Sequence, residues 1–177
     1  MRTVLCVGAL LLTACKPEAG ESHAARQAPE PAVTMASEGL PSPDTQGAVW
    51  APAGEQRLVY GKPGEAPLMT LACSNENVVI ERLVRADEGA KGVLAMIGNA
   101  HVVRLFVDAE PVDDSPDAQH RWIGRFDAAN GDLDVLSGTG QVEATIPGAG
   151  SVILNPSGLP GELIAACRSP GLPASPA

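Results

Sequence analysis

The sequence predicts a mainly β domain: a small antiparallel sandwich or barrel of short strands, with one helix at its C-terminal end. Three observations predict it. Short apolar or alternating segments recur at roughly ten-residue spacing between about residues 48 and 168. Turn signals separate them, namely Ser74-Asn75-Glu76-Asn77, Gly98-Asn99, Asn130-Gly131 and Pro147-Gly148. One segment, Leu159 to Arg168, instead carries helix punctuation. Pro160 stands at the start, Glu162 in the first turn, Arg168 at the end and Ser169-Pro170 as the stop.

The expected strands, in order, are Arg57–Tyr60, Leu68–Cys73, Asn77–Val84, Val93–Ile97, His101–Val107, Arg121–Phe126, Leu133–Leu136, Gln141–Ile146 and Ser151–Leu154. Alternation assigns their faces. Val103, Leu105 and Val107 share one side of their strand, and Val102, Arg104 and Phe106 the other. Trp122 and Phe126 oppose Arg121, Ile123 and Arg125. Val142, Ala144 and Ile146 oppose Gln141, Glu143 and Thr145, the pattern of a half-buried strand.

The amino-terminal residues have another character. Arg2 is followed by an apolar run from Val4 to Leu12, then by Thr13, Ala14 and Cys15. A basic start, a short apolar core and a small-residue exit make a secretory signal. The run is too short for a bilayer, which needs about 20 residues. Leu12-Thr13-Ala14-Cys15 resembles the lipobox of bacterial lipoproteins. The resemblance implies that residues 1–14 are removed and that Cys15 carries diacylglycerol and an acylated amino group. Lys16, rather than Asp, follows that cysteine, which favours the outer membrane facing the periplasm. Residues 15–47 then read as a Pro- and Ala-rich tether, poor in large apolar side chains and including His23. Residues 48–168 form the expected domain and 169–177 a disordered tail.

Composition narrows the function. The net charge is −9, and cleavage would make it one charge more negative. That opposes nucleic acid, which demands clustered Lys and Arg. Aromatic residues are only 3% of the chain, too few for a broad sugar-stacking platform. No Gly-x-Ser-x-Gly elbow and no phosphate-binding Gly-Lys-Ser/Thr loop occurs. His101, His120, Cys73 and Cys167 lack metal-motif spacing, so no metal or cofactor is expected. The acids Asp108, Glu110, Asp113, Asp114 and Asp117, and the run from Asp127 to Asp134, read as solvated turns rather than calcium loops. Gly138-Thr139-Gly140 and Gly148-Ala149-Gly150 read as turns.

With Cys6 removed and Cys15 lipidated, Cys73 and Cys167 are the two thiols left in an oxidising compartment. Cys73 shares a strand face with Leu71 and Met69, and Cys167 shares a helix stripe with Leu163 and Ile164. A Cys73–Cys167 disulfide is therefore expected. Arg121 and Arg125, two positions of one strand face, are the candidate contact for an anionic partner, with pairing to Asp113 or Asp127 as the competing reading.

A small lipidated β-barrel with one cysteine near its start and one near its end resembles the membrane-bound inhibitors of c-type lysozyme. The likeness would cover about Leu68 to Cys167. That family carries a Ser-Gly-x-x-Tyr-like motif that enters the lysozyme cleft. Ser137-Gly138-Thr139-Gly140-Gln141 stands in its place, with Gln at the aromatic position. More broadly the chain looks like small lipoproteins of Gram-negative envelopes. The expected function is a non-catalytic binding or structural module, membrane-held by its lipid, whose partner is a periplasmic protein or glycan. The alternatives are a lysozyme-inhibitor-like protein and a periplasmic hydrolase. A cleft joining His101 or His120 to a Ser or Asp would favour the hydrolase.

Overall fold

A computed structural model describes residues 39–115 and 117–169. The expected signal, Cys15, His23 and the tail beyond Ser169 lie outside the described residues. Nine antiparallel strands form one sheet that nearly closes as a barrel. They are β1 (Val49–Pro52), β2 (Arg57–Gly61), β3 (Met69–Ser74), β4 (Asn77–Ala86), β5 (Lys91–Gly98), β6 (His101–Pro111), β7 (His120–Asp127), β8 (Val142–Ile146) and β9 (Gly150–Leu154). Their order across the sheet is β1-β2-β3-β4-β7-β6-β5-β8-β9. A helix, α1 (Leu159–Cys167), follows β9.

Two tight hairpins set the register. Asn75 and Glu76 (φ 48° and 61°) join β3 to β4, and Asn99 and Ala100 (φ 48° and 62°) join β5 to β6. Both central residues of each turn have positive φ, as the twist of a two-residue hairpin requires. The second turn therefore sits one residue later than Gly98-Asn99. Gly98 serves another purpose: a Cβ there would lie 2.5 Å from the Gln141 carbonyl oxygen, where β8 crosses closely.

Of the faces that alternation separates, Met69 and Leu71, Val103, Leu105 and Val107, Trp122, and Val142, Ala144 and Ile146 turn inward. Leu58, Tyr60, Ile80, Leu94, Met96 and Val152 are buried with them. No backbone ladder joins β9 to β1. Two polar side chains close that seam. The Tyr60 hydroxyl donates to the Ile153 carbonyl (2.7 Å) and accepts from the Asn155 amide (3.0 Å). Asn155 Nδ2 donates to the carbonyls of Thr45 (3.0 Å) and Ala48 (2.8 Å). Burial raises the Tyr60 pKa, so the hydroxyl keeps the proton it donates.

Three expectations are corrected. Leu133–Leu136 is not a strand. It lies in a 3-10 helix over Gly131–Leu136, started by Asn130, whose side chain accepts from the Asp132 amide (2.9 Å). Asn99 ties this helix to the β5–β6 hairpin: Nδ2 donates to the Val135 carbonyl, and Oδ1 accepts from the Gly140 amide, each at 2.8 Å. Second, Val49–Pro52 is a strand that alternation over so few residues does not reveal. Third, residues 39–47, read as the end of the tether, are bonded to the domain. The Leu40 amide donates to the Gly148 carbonyl, and Ser42 Oγ accepts from the Ser151 amide.

α1 is nearly as expected, and its Pro160, Ile164 and Cys167 are buried. Arg168 caps the helix rather than belonging to its last turn. It donates to the Ala128 carbonyl (2.6 Å) and pairs with Asp134 (2.8 Å). Cys73 and Cys167 are joined as a disulfide, with Cα atoms 5.6 Å apart.

Candidate functional site

The two arginines singled out from the sequence lie on the barrel exterior, where cross-strand pairing places them among acids. Neither meets Asp113 or Asp127. Arg125 is held by Glu110 through both of its terminal nitrogens, one of them 2.8 Å from the carboxylate. Arg121 lies 3.6 Å from Glu81. Glu81 also accepts from Arg57 (3.1 Å) and from the Thr70 hydroxyl (2.9 Å). Hydrogen bonding from Arg125 holds the Glu110 carboxyl below its ordinary pKa. Thr70, Glu81 and Ile123 are buried although they face outward. Long arginine side chains fold over such groups, their stems covering apolar surface while their heads stay wet. Arg121 and Arg125 are thus already committed to internal pairs.

Arg82 points inward and is only 4% exposed. Its Nη1 donates to the Leu68 carbonyl (2.8 Å), and burial lowers its pKa to about 10.

A cleft of about 650 Å³ lies between the β4–β5 and β6–β7 connections. His120, Ser115 and Asp113 line it, which is the juxtaposition that would favour a hydrolase. Their hydrogen bonds follow a different pattern. The Ser115 hydroxyl (2.5 Å) and amide (2.9 Å) both donate to Asp113 Oδ1, the geometry of a local turn. These bonds hold the Asp113 carboxyl below its ordinary pKa. A nucleophile needs its proton taken by a base that is itself oriented, and here the serine proton is directed at the carboxylate with no bond to His120. His101 is exposed on the hairpin, apart from that cleft. Among the described residues no group of three His, Cys, Asp or Glu side chains is placed to hold a metal.

The Ser137–Gln141 segment wraps the hairpin tip. A side chain at Gly138 or Gly140 would run into Asn99, so packing as well as turning explains both glycines. Gln141 is exposed.

The β5–β6 hairpin carries the most exposed large apolar side chains among the described residues. Phe106 is 81% exposed, Val102 64% and Ile97 53%. All three face outward on the β5–β6 hairpin, Ile97 directly opposite Val102 in the ladder. Arg104 lies between Val102 and Phe106, exposed and without an acid partner among the described residues. Val93 and Ala95, partly exposed, fill the adjacent positions of β5. Ile97, Val102 and Phe106 thus form one contiguous apolar row around Arg104 rather than scattered exposure.

No known family model, curated protein or solved structure matches the chain.

Proposed function

We propose that this protein is a lipid-anchored, periplasm-facing envelope module that acts by binding, not catalysis, and that its binding face is the exterior of the β5–β6 hairpin. One observation carries the reading: Phe106, Val102 and Ile97 remain exposed around Arg104, which has no acidic partner among the described residues. Burying a side chain such as Phe106 against a partner would contribute about 1.5–3 kcal/mol. Arg121 and Arg125 are the weaker candidate contact, because a partner would have to displace Glu110 and Glu81. The anchor is Cys15, and the tether lets the domain reach away from the bilayer. The hydrolase remains a second reading only through the shared cleft of His120, Ser115 and Asp113.

Two experiments test this. Replacing Cys15→Ser is expected to abolish incorporation of labelled palmitate; undiminished labelling would remove the anchor. Affinity capture from envelope extract, using the tethered domain, is expected to retain a partner that Phe106→Asp loses, while Arg121→Ala with Arg125→Ala keeps it. Because Phe106 lies outside the core, its variant should unfold at the same denaturant concentration as the parent. Labelling of Ser115 by a serine-reactive phosphonate, lost in His120→Ala, would instead support the hydrolase.

A further inference from the structure

The outward face of β5 and β6 continues across β8 and β9. Directly paired residues share a face, so one cross-strand row runs Ile153, Glu143, Ile97, Val102, and the next runs Thr145, Ala95, Arg104. Glu143 is exposed, like Arg104. Its carboxylate accepts from the Thr145 hydroxyl at 3.3 Å. Neither Glu143 nor Arg104 meets an opposite charge among the described residues. They do not reach each other, because β5 lies between their strands and neighbouring strands are about 4.8 Å apart. Ile97 and Ala95 fill the space between them. The face therefore carries an anion and a cation at opposite corners of an apolar centre. In a two-fold contact a surface meets its own image, so such a face is complementary to itself. Consider an axis that passes between Ala95 and Ile97, parallel to the face and perpendicular to the line from Arg104 to Glu143. Rotation about it sets each Arg104 over Glu143 of the other copy. It also brings Val102 over Ile97 and Phe106 toward Ile153, which is half-buried in β9.

We propose that this face is the contact of a symmetric homodimer. The inference rests on the binding-module reading and names the partner as a second copy of this chain. Burial of the apolar centre drives association, and the two Arg104–Glu143 pairs fix its orientation. The net charge of −9 opposes self-association. That repulsion is screened beyond about 8 Å at physiological salt, whereas the facing charges act at contact distance. A barrel exterior is convex, so the contact is confined to a few strands and belongs with small, reversible interfaces. Anchoring of both copies in one membrane raises their effective concentration and offsets that weakness.

Two differently tagged copies of the full chain, co-expressed in one envelope and solubilised in mild detergent, provide the test. Co-purification of one tag with the other is expected for the parent pair. Arg104→Glu in both copies, or Glu143→Arg in both, sets like charges face to face and is expected to reduce co-purification about tenfold or more. Arg104→Glu in one copy with Glu143→Arg in the other rebuilds both ion pairs and is expected to recover it. Because the mixed pair uses the same two variant chains, its recovery also shows that both are folded. No co-purification of the parent pair would overturn the dimer. So would co-purification that neither charge variant diminishes, or a mixed pair that stays apart. The broader reading fails separately. With no dimer, capture of another envelope protein that Phe106→Asp loses would keep the binding face, and capture of neither would remove it.

Discussion

Removing the disulfide by Cys73→Ser with Cys167→Ser is expected to lower the unfolding free energy by about 2–4 kcal/mol. The two cysteines are 94 residues apart in the chain. The loop-entropy treatment gives roughly 4–5 kcal/mol for a loop of that size, and measured losses usually fall below it. The bridge joins the end of β3 to the end of α1, so without it the helix keeps only its packing and its polar contacts. A domain of this size holds about 5–15 kcal/mol in all, so the loss is a large share. Urea unfolding of the oxidised protein, the reduced protein and the double variant is the measurement. Reduced protein and double variant should coincide. A shift below about 0.5 kcal/mol, within the range of ordinary surface substitutions, would show that the bridge constrains nothing.

Ile164→Ala should cost about 2–5 kcal/mol, the usual range for truncating a buried aliphatic side chain. Ile164 is fully buried, whereas Ala165 and Ala166 on the opposite side of α1 are exposed. The helix contacts β1, β2, β3, β4 and the 3-10 helix, so Ile164 packs where several elements converge. Such a site collapses poorly when a side chain is removed, which places the effect in the upper part of the range. Ala165→Ser serves as the control and should move stability by less than about 0.5 kcal/mol. Equal losses for the two variants would mean that α1 does not pack as described.

Most of the barrel was legible because its strands bury one face. A period of two is readable whenever inward and outward residues differ in polarity, as in Val142 to Ile146. The 3-10 helix was misread because Leu133, Val135 and Leu136 make a short apolar window that suits either structure. The capping side chain of Asn130 was the available signal. Residues 39–47 were assigned to the tether because their attachment is polar and mostly through backbone, which hydropathy does not register. The pairing of Arg121 and Arg125 was anticipated in kind, but their partners come from other strands. Glu110 faces Arg121 across the ladder, yet it bonds Arg125, a diagonal contact that sequence distance conceals. Where the β6–β7 ladder stops could not be read at all. It depends on where β7 turns away, and that is a property of the closed sheet rather than of either strand.

Site-specific photocrosslinking in the intact envelope tests the binding face most directly. A photoreactive residue replacing Phe106 is compared with one replacing Val59, which faces outward on β2. One discrete protein adduct is expected from position 106, absent from position 59 and lost when Arg104→Glu is added. Identical adducts from both positions, or none from position 106 under conditions where the lipid-anchored protein is fully folded, would contradict it.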